Sequence, residues 1–422
     1  MPTLTPLVAT SLILMAAVPS HAAQSPVPPI TSASTPSAQA IRLIGAASIS
    51  ATATDLSGLT NTLPSGVPHN RLASMGSGIA STNAPDRYLM VADRGPKDGA
   101  DPYLCRFHEF EIVIDASPDA REPVGMKLIS TTLLASAEGP LTGSAAAIAP
   151  TDAAGERFDP EALRLMPDGH TLIIADEYGP SIGLFARDCG TRLRSLPVPR
   201  GFEVAQPHAD AKEELAANTP PRGRGGRVPN NGIEGMDLSA DGTSVFGLMQ
   251  GPLMQDDGKQ GRICRLVQIS TVESESAAAA PARQFGYTLE KAGLGTSELL
   301  TLDEHRFLVL ERDGLGGTDA RVKRIYLIDT RGSTDLSRFP AMPGGGLPNG
   351  ASPVKKRLLI DLLDPAFMLA GPSFPAKVEG LCWGPTLASG SRVLLVTTDN
   401  DFKDDEASWV WAFEVPQEAL AQ

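Results

Sequence analysis

Carboxylates recur at two places in a plan that this chain repeats. The first place is a short opening strand, which carries Glu161, Glu234, Glu298 and Glu379 in successive copies. The second is the end of a strongly apolar strand: Asp93, Asp176 with Glu177, Glu311 with Asp313, and Asp399 with Asp401, while Gln250 stands there in the third copy. An acid that ends an apolar strand is costly to desolvate unless it is paired. Acids at equivalent positions of a cyclic repeat converge, repel one another and need a counter-charge. Oxygen-only ligand sets suit hard cations such as Ca²⁺ or Mg²⁺. Arg94, Arg312 and Lys377 sit beside these acids and offer the charge instead, or a hold on a phosphate or carboxylate of a substrate. Three readings stay open at this point. The acids bond backbone amides and hold the structure, they form a Ca²⁺-type site, or they do acid–base work without metal.

The elements that must position these groups read as β-structure. Each of five segments has a short apolar strand, a turn, a strand apolar on successive residues, a loop and an alternating strand. The buried strands are YLMVADRG (88–95), TLIIADEYGP (171–180), SVFGLMQG (244–251), RFLVLERDG (306–314) and RVLLVTTDND (392–401). Apolar residues on both faces of a strand mean burial on both faces. Pro167-Asp168-Gly169 and Ala240-Asp241-Gly242 read as hairpin turns, and their acids as turn residues. Fourth strands are expected at MKLISTTLL, RLRSLPV, RQFGYTLE and KRLLIDLL. The pattern predicts an all-β fold, a β-propeller with five readable blades and room for a sixth in the longer intervals. An isolated strand at 41–50, IRLIGAASIS, is expected to complete the last blade and close the ring. Two long inserts interrupt the plan, at 137–157 and 205–227; the second carries GRGGR and is expected to be mobile.

Other chemistries fail on spacing. Gly179-Pro180-Ser181-Ile182-Gly183 matches G-x-S-x-G, but a nucleophile elbow needs a strand-to-helix turn and a strand follows here. Asp399-Asn400-Asp401 begins like a calcium loop, yet Phe402 and Lys403 break the EF-hand pattern. His69, His108, His170, His208 and His305 form no H-x-H or H-E-x-x-H motif, and there is no P-loop or dinucleotide fingerprint. Cys105, Cys189, Cys264 and Cys382 form no C-x-x-C pair, which leaves disulfides or buried thiols. A net charge of −13 argues against nucleic acid or an anionic membrane surface as partner. Residues 7–18, LVATSLILMAAV, followed by Ser20-His21-Ala22, read as a secretory signal over 1–22 without a preceding Lys or Arg. Residues 23–40, rich in Pro, Ser and Ala, read as a disordered linker, residues 41–417 as one propeller domain and 418–422 as a tail. No later run is long and apolar enough for a membrane span. A secreted or periplasmic monomer is expected.

The segments FDPEALRLMPDGHTLIIADEYGP, NNGIEGMDLSADG, RFLVLERDG, KVEGLCW and VTTDND resemble the phytase-like family, also described by its esterase-like activity of phytase. The resemblance covers roughly 41–417. Ala162 departs from the repeated E-G element, and Ser297-Glu298-Leu299 lacks the glycine after its acid. The resemblance implies an exported bacterial β-propeller with a link to calcium-dependent phosphate-ester hydrolysis. On this reading Glu161, Asp176, Glu177, Glu234 and Glu379 are the candidate catalytic acids of an axial site. Asp93, Glu311, Asp399 and Asp401 are candidate Ca²⁺ ligands, and Arg94, Arg312 and Lys377 bind the oxygens of a small ester or phosphate. The rival reading is a non-catalytic periplasmic propeller that serves as a binding or interaction module.

Overall fold

The computed structural model describes residues 40–148, 155–272, 282–342 and 344–421. The expected signal segment at 1–22 lies outside the described residues, as does the linker up to residue 39. Strand β1 spans Arg42–Ile49. The first sheet holds β2 (Gly78–Ser81), β3 (Arg87–Val91), β4 (Arg106–Ile114) and β5 (Val124–Leu133). A small sheet follows, made of β6 (Ala135–Ser136), β7 (Gly139–Thr142) and β8 (Glu156–Arg157). The second large sheet holds β9 (Pro160–Leu165), β10 (Thr171–Asp176), β11 (Ser181–Ala186) and β12 (Arg192–Leu196). The third holds β13 (Ile233–Leu238), β14 (Ser244–Met249), β15 (Ile263–Ser270) and β16 (Arg283–Thr288). The fourth holds β17 (Gly295–Thr301), β18 (Arg306–Arg312), β19 (Lys323–Asp329) and β20 (Lys355–Asp361). The last holds β21 (Lys377–Thr386), β22 (Arg392–Asp399) and β23 (Ser408–Val415).

These are five four-stranded antiparallel sheets, and β1 supplies the outer strand of the last by pairing with β23. The innermost strands touch in a closed cycle: β2 against β9, β9 against β13, β13 against β17, β17 against β21, and β21 against β2. This is a five-bladed propeller closed by its N-terminal strand, with no sixth blade among the described residues.

The doubly apolar strands follow from that arrangement. Each blade is sandwiched between two others, so successive residues of its second strand enter different cores. On β10, Ile173 and Ala175 pack against Ile233, Met236 and Val245 of the third blade. Leu172 and Ile174 pack instead with Leu89, Val91 and Phe107 of the first. Similar cores fill the third–fourth, fourth–fifth and fifth–first interfaces. Toward the axis the inner strands crowd. A Cβ on Gly235 would lie 2.6 Å from the backbone carbonyl carbon of Glu298, which explains the glycine of the E-G element.

Both inserts are structured where described. Residues 137–157 supply β7 and β8. The 205–227 insert, expected to be mobile, carries the helix Ala211–Asn218, whose amides at Lys212 and Glu213 are capped by Asp210. Its Glu214 and Asn218 are buried, and Glu214 is bonded to Arg227 at 2.8 Å. The expected C-terminal tail is also anchored: Gln417–Ala421 is a helical turn, and Leu420 is buried in the fourth–fifth interface. The four cysteines are free thiols, three buried and Cys189 exposed. Asp168 and Asp241 each bond amides two or three residues ahead, as turn residues do.

Candidate functional site

The strand registers locate the residues that face the axis. Ile233 pairs with Met249 and Gly235 with Leu248, so Glu234 is bulged out of the ladder. The same irregularity lifts Glu161 from β9 and Glu379 from β21. In the fourth blade Thr296 pairs with Glu311 and Glu298 with Leu310, so the bulged residue is Ser297. The first tier around the axis therefore runs Ser77, Glu161, Glu234, Ser297, Glu379. In the second to fifth blades the second tier, one residue beyond the partner of the residue ahead of each bulge, runs Glu177, Gln250, Arg312, Asp399, and in the first blade Asp93 stands two residues past Val91, the last paired position.

Three sequence expectations are corrected here, two of them by one residue. Glu298 does not join the tier; it accepts from the amides of Met236 and Leu299 and shares Arg164, at 3.2 Å, with Asp237. Glu311, expected as a metal ligand, is fully buried between blades, where Tyr287 donates to it at 2.6 Å and Lys356 neutralises it. In a strand a one-residue shift reverses the facing side, and it is Arg312 that reaches the axis. Asp176, expected to be catalytic, is saturated by the amides of Asp159, Tyr178 and Gly179 and by the Ser181 hydroxyl. It holds the DEYGPS hairpin.

The remaining residues come together in two groups. In one, the Lys377 ammonium lies 2.8 Å from Asp401, 3.0 Å from Asp399 and 3.7 Å from Asp93. Burial and the nearby Asp399 push the Asp93 carboxyl well up despite Lys377. Asp399 is held low against the cost of burial by Lys377, the Ser74 hydroxyl and the Asp401 amide. In the other group, Asp159, Glu161 and Glu177 bring carboxylate oxygens within 4.8 Å of one another. Arg94 meets Asp159 at 2.6 Å and Glu177 at 3.4 Å. Burial and Asp159 push Glu177 up to about 7, although Arg94 and Arg227 oppose the shift.

Glu161 of the second group forms the first tier with Glu234 and Glu379, all buried. Gln250 donates to Glu234 Oε1 at 2.5 Å, and Arg312 donates to Glu379 Oε1 at 2.6 Å. The Oε2 atoms of both are buried with no partner among the described residues. Burial, then Glu234 and the other acids around it, raises Glu161 well above the usual carboxylate range. Burial, with Glu177 and Glu379, does the same to Glu234. Buried acids that lack hydrogen bonds and face like charges are what a hard cation would relieve.

A cavity of about 300 Å³ opens over this ring, lined by Asn231, Gln250, Lys259, Arg312 and Lys377 among others. Arg312 and Lys377 were expected as substrate-binding cations, and they share one wall. Asp159, Asn231 and Lys259 were not singled out in the sequence. Asp159 was findable, since FDPE places it two residues before the bulged Glu161. Lys259, on an irregular loop, carries no sequence signal.

Among the described residues no helix is long and apolar enough to cross a membrane. Two of the similar solved structures are distant in sequence and in shape. The periplasmic gluconolactonase PpgL of Pseudomonas aeruginosa is 12% identical, with a TM-score of 0.36 over 89% of this chain and 99% of that one. A luciferin-regenerating enzyme is 9% identical, with a TM-score of 0.37 over 81% and 92%. A secreted protein of Arthroderma benhamiae, itself uncharacterized, is 26% identical over 195 residues, which are 40% of this chain and 37% of that one. The family model described as phytase-like, esterase-like activity of phytase, matches residues 72–402, from the approach to the first blade through the acids of the last, and the chain belongs to that family.

Proposed function

We propose that this propeller is an exported hydrolase of a phosphate ester or related ester that works with a divalent cation, Ca²⁺ first among candidates. One observation carries the reading: Glu161, Glu234 and Glu379 stand buried at equivalent bulges, and Glu234 and Glu379 each keep an Oε2 without a partner among the described residues. Their donor set is all oxygen, which fits a hard cation. The Asp93, Asp399 and Asp401 group is less suited to that role, because Lys377 already serves it. When bound, the cation supplies Lewis-acid polarisation and a more acidic water.

The chain's own residues do the rest. Arg312 and Lys377 face the cavity as donors to the anionic oxygens of a substrate, and Lys259 adds a third charge at the rim. Glu177, poised near neutrality, is the acid–base group best placed to take a proton from water and return it to the departing oxygen. Arg94 fixes Glu177 and Asp159 in place and opposes the upward shift of Glu177. Gln250, held by Asn231, orients Glu234.

The pairing of Lys377, Arg94 and Arg312 with acids favours one rival, a non-catalytic periplasmic binding module in which these charges only stabilise the ring. The purified protein decides between them in a panel of phosphate and carboxylic esters with Ca²⁺ or with chelator. Cation-dependent turnover supports the hydrolase. No turnover on any ester, with a melting temperature that chelator lowers or leaves alone, supports the module.

A further inference from the structure

A second cavity, about 250 Å³, lies beside the first, and Pro229 and Asn230 line both. Its floor is Arg94, the residue that grips Asp159 and Glu177. Its walls are the Tyr178 side chain and Ala145, Ala209 and Ala211, with the 205–227 insert forming one side. The charges around it are already spent: Arg227 on Glu214 at 2.8 Å, and Arg94 on Asp159, Glu177 and Asp98. Asp98, Asn230 and His208, whose Nε2 meets Glu213 at 2.8 Å, complete a polar rim, and between them lie alanine, proline and a phenol ring, with one buried Arg94 Nε that has no partner among the described residues. Pockets for larger organic ligands run from about 300 Å³ upward, so this one holds a single ring.

We propose that this cavity is the leaving-group subsite, and that it selects esters whose alcohol portion is one uncharged, largely apolar ring. The inference rests on the hydrolase reading and deepens it. The anionic part of the ester lies under Arg312 and Lys377, and the alcohol part passes Arg94 into the alanine-walled cavity. A highly anionic alcohol portion would meet the carboxylates of Asp98 and Glu214 in it, whereas no carboxylate lines the cavity beside Arg312 and Lys377.

The insert is tied to the chemistry through a short chain of contacts. Glu214 holds Arg227, and Arg227 Nε donates to the carbonyl of Tyr178 at 2.9 Å, next to Glu177. The element that shapes the subsite therefore also borders the acid–base residue.

The test uses the full chain with Ca²⁺ and two variants that fill the cavity from opposite walls, Ala209→Trp on the exposed insert and Ala145→Phe. Each is compared with wild type on 4-nitrophenyl phosphate and on methyl phosphate, and on the matching acetates. The expected result is a tenfold or larger fall in kcat/KM for the aryl ester, mostly through KM, with the methyl ester within twofold. Equal losses on aryl and methyl esters, or none on either, in both variants overturn the proposal. If wild type turns over no ester, the hydrolase reading fails by itself, and the subsite is judged by phenol binding in saturation-transfer NMR. A phenol signal in wild type that Ala209→Trp abolishes sustains the cavity as a ring site; no signal in wild type, or one the variant leaves intact, overturns it.

Discussion

Glu234→Gln separates a cation site from a structural ring. In the wild type Glu234 is buried, keeps one bond from Gln250, and leaves Oε2 without a partner among the described residues. Such an oxygen costs about 1–3 kcal/mol when buried unsatisfied. The amide keeps Oε1 for Gln250 and turns the other terminus into a donor toward the surrounding carboxylates. Arg312 is not orphaned, because its close partner is Glu379 at 2.6 Å while Glu234 is 3.9 Å away. In chelator the variant should therefore be as stable as wild type or more stable, by roughly 1 kcal/mol, or about 2 °C at most in a domain of this size. The cation response should move the other way. At a hundredfold excess over Kd a ligand stabilises the folded state by about 2.7 kcal/mol. Wild type should show a rise in Tm of several degrees on that basis, and Glu234→Gln should lose most of it along with turnover. The assay is differential scanning fluorimetry in EDTA and across a CaCl₂ series, with ester hydrolysis on the same samples. A variant that is destabilised by more than about 2 kcal/mol in EDTA, or that keeps the full Ca²⁺ shift, refutes the reasoning.

Three further outcomes follow from the same geometry. Glu298→Ala removes one of the two acids that Arg164 meets, leaving Asp237 at 3.0 Å, so urea unfolding should show a loss at or below the lower end of the about 3–5 kcal/mol that breaking a buried pair costs, while the Ca²⁺ shift in Tm persists. Lys377→Ala removes the ammonium among Asp93, Asp399 and Asp401, so it should lower Tm in EDTA and be rescued by Ca²⁺ beyond the wild-type response. The pH dependence has a definite sign: burial raises Glu177 from 4.5 to about 7, so the folded chain holds a proton that the unfolded chain has released between those values. Stability from this group therefore falls as pH rises from about 4.5 to about 7 and is level above that. A cation held by the neighbouring Glu161 repels that proton, so calorimetric affinity for Ca²⁺ should increase from pH 5 to 7; a flat or falling affinity contradicts the assignment.

The propeller was legible because its physics is local and repeated. Strands such as LIIA and VLLV are apolar on successive residues since each blade has two neighbours, and the closing strand was visible as IRLIGAASIS standing ahead of the first copy. The acids of the second and fifth blades were also legible, since Glu161, Glu177, Glu379 and Asp399 occupy the tiers their spacing suggests. The fourth blade misled because acids stand one residue off the axial positions there. Ser297-Glu298 and Glu311-Arg312 look like the acid elements of other copies, and only the pairing of Thr296 with Glu311 shows which member of each couple faces inward. Asp176 misled for a different reason: composition shows an acid but not its four donors. The insert at 205–227 reads as loose from its glycines and prolines, while its order comes from Glu214 meeting Arg227 at the end of the insert and the distant Arg157.

The closure of the last blade has a cost in time. Arg42 on β1 meets Glu414 on β23 across 372 positions of sequence. Until β23 is made, β1 has no partner in the ring, and the four blades between them form a crescent with two open faces. Contacts of such separation slow folding, and an unpaired edge invites pairing with a second chain. Crossing strands between two molecules, β1 of one onto β23 of the other, is then the natural misassembly. A chain released at high local concentration should yield some exchanged dimers, and dilution during refolding should suppress them.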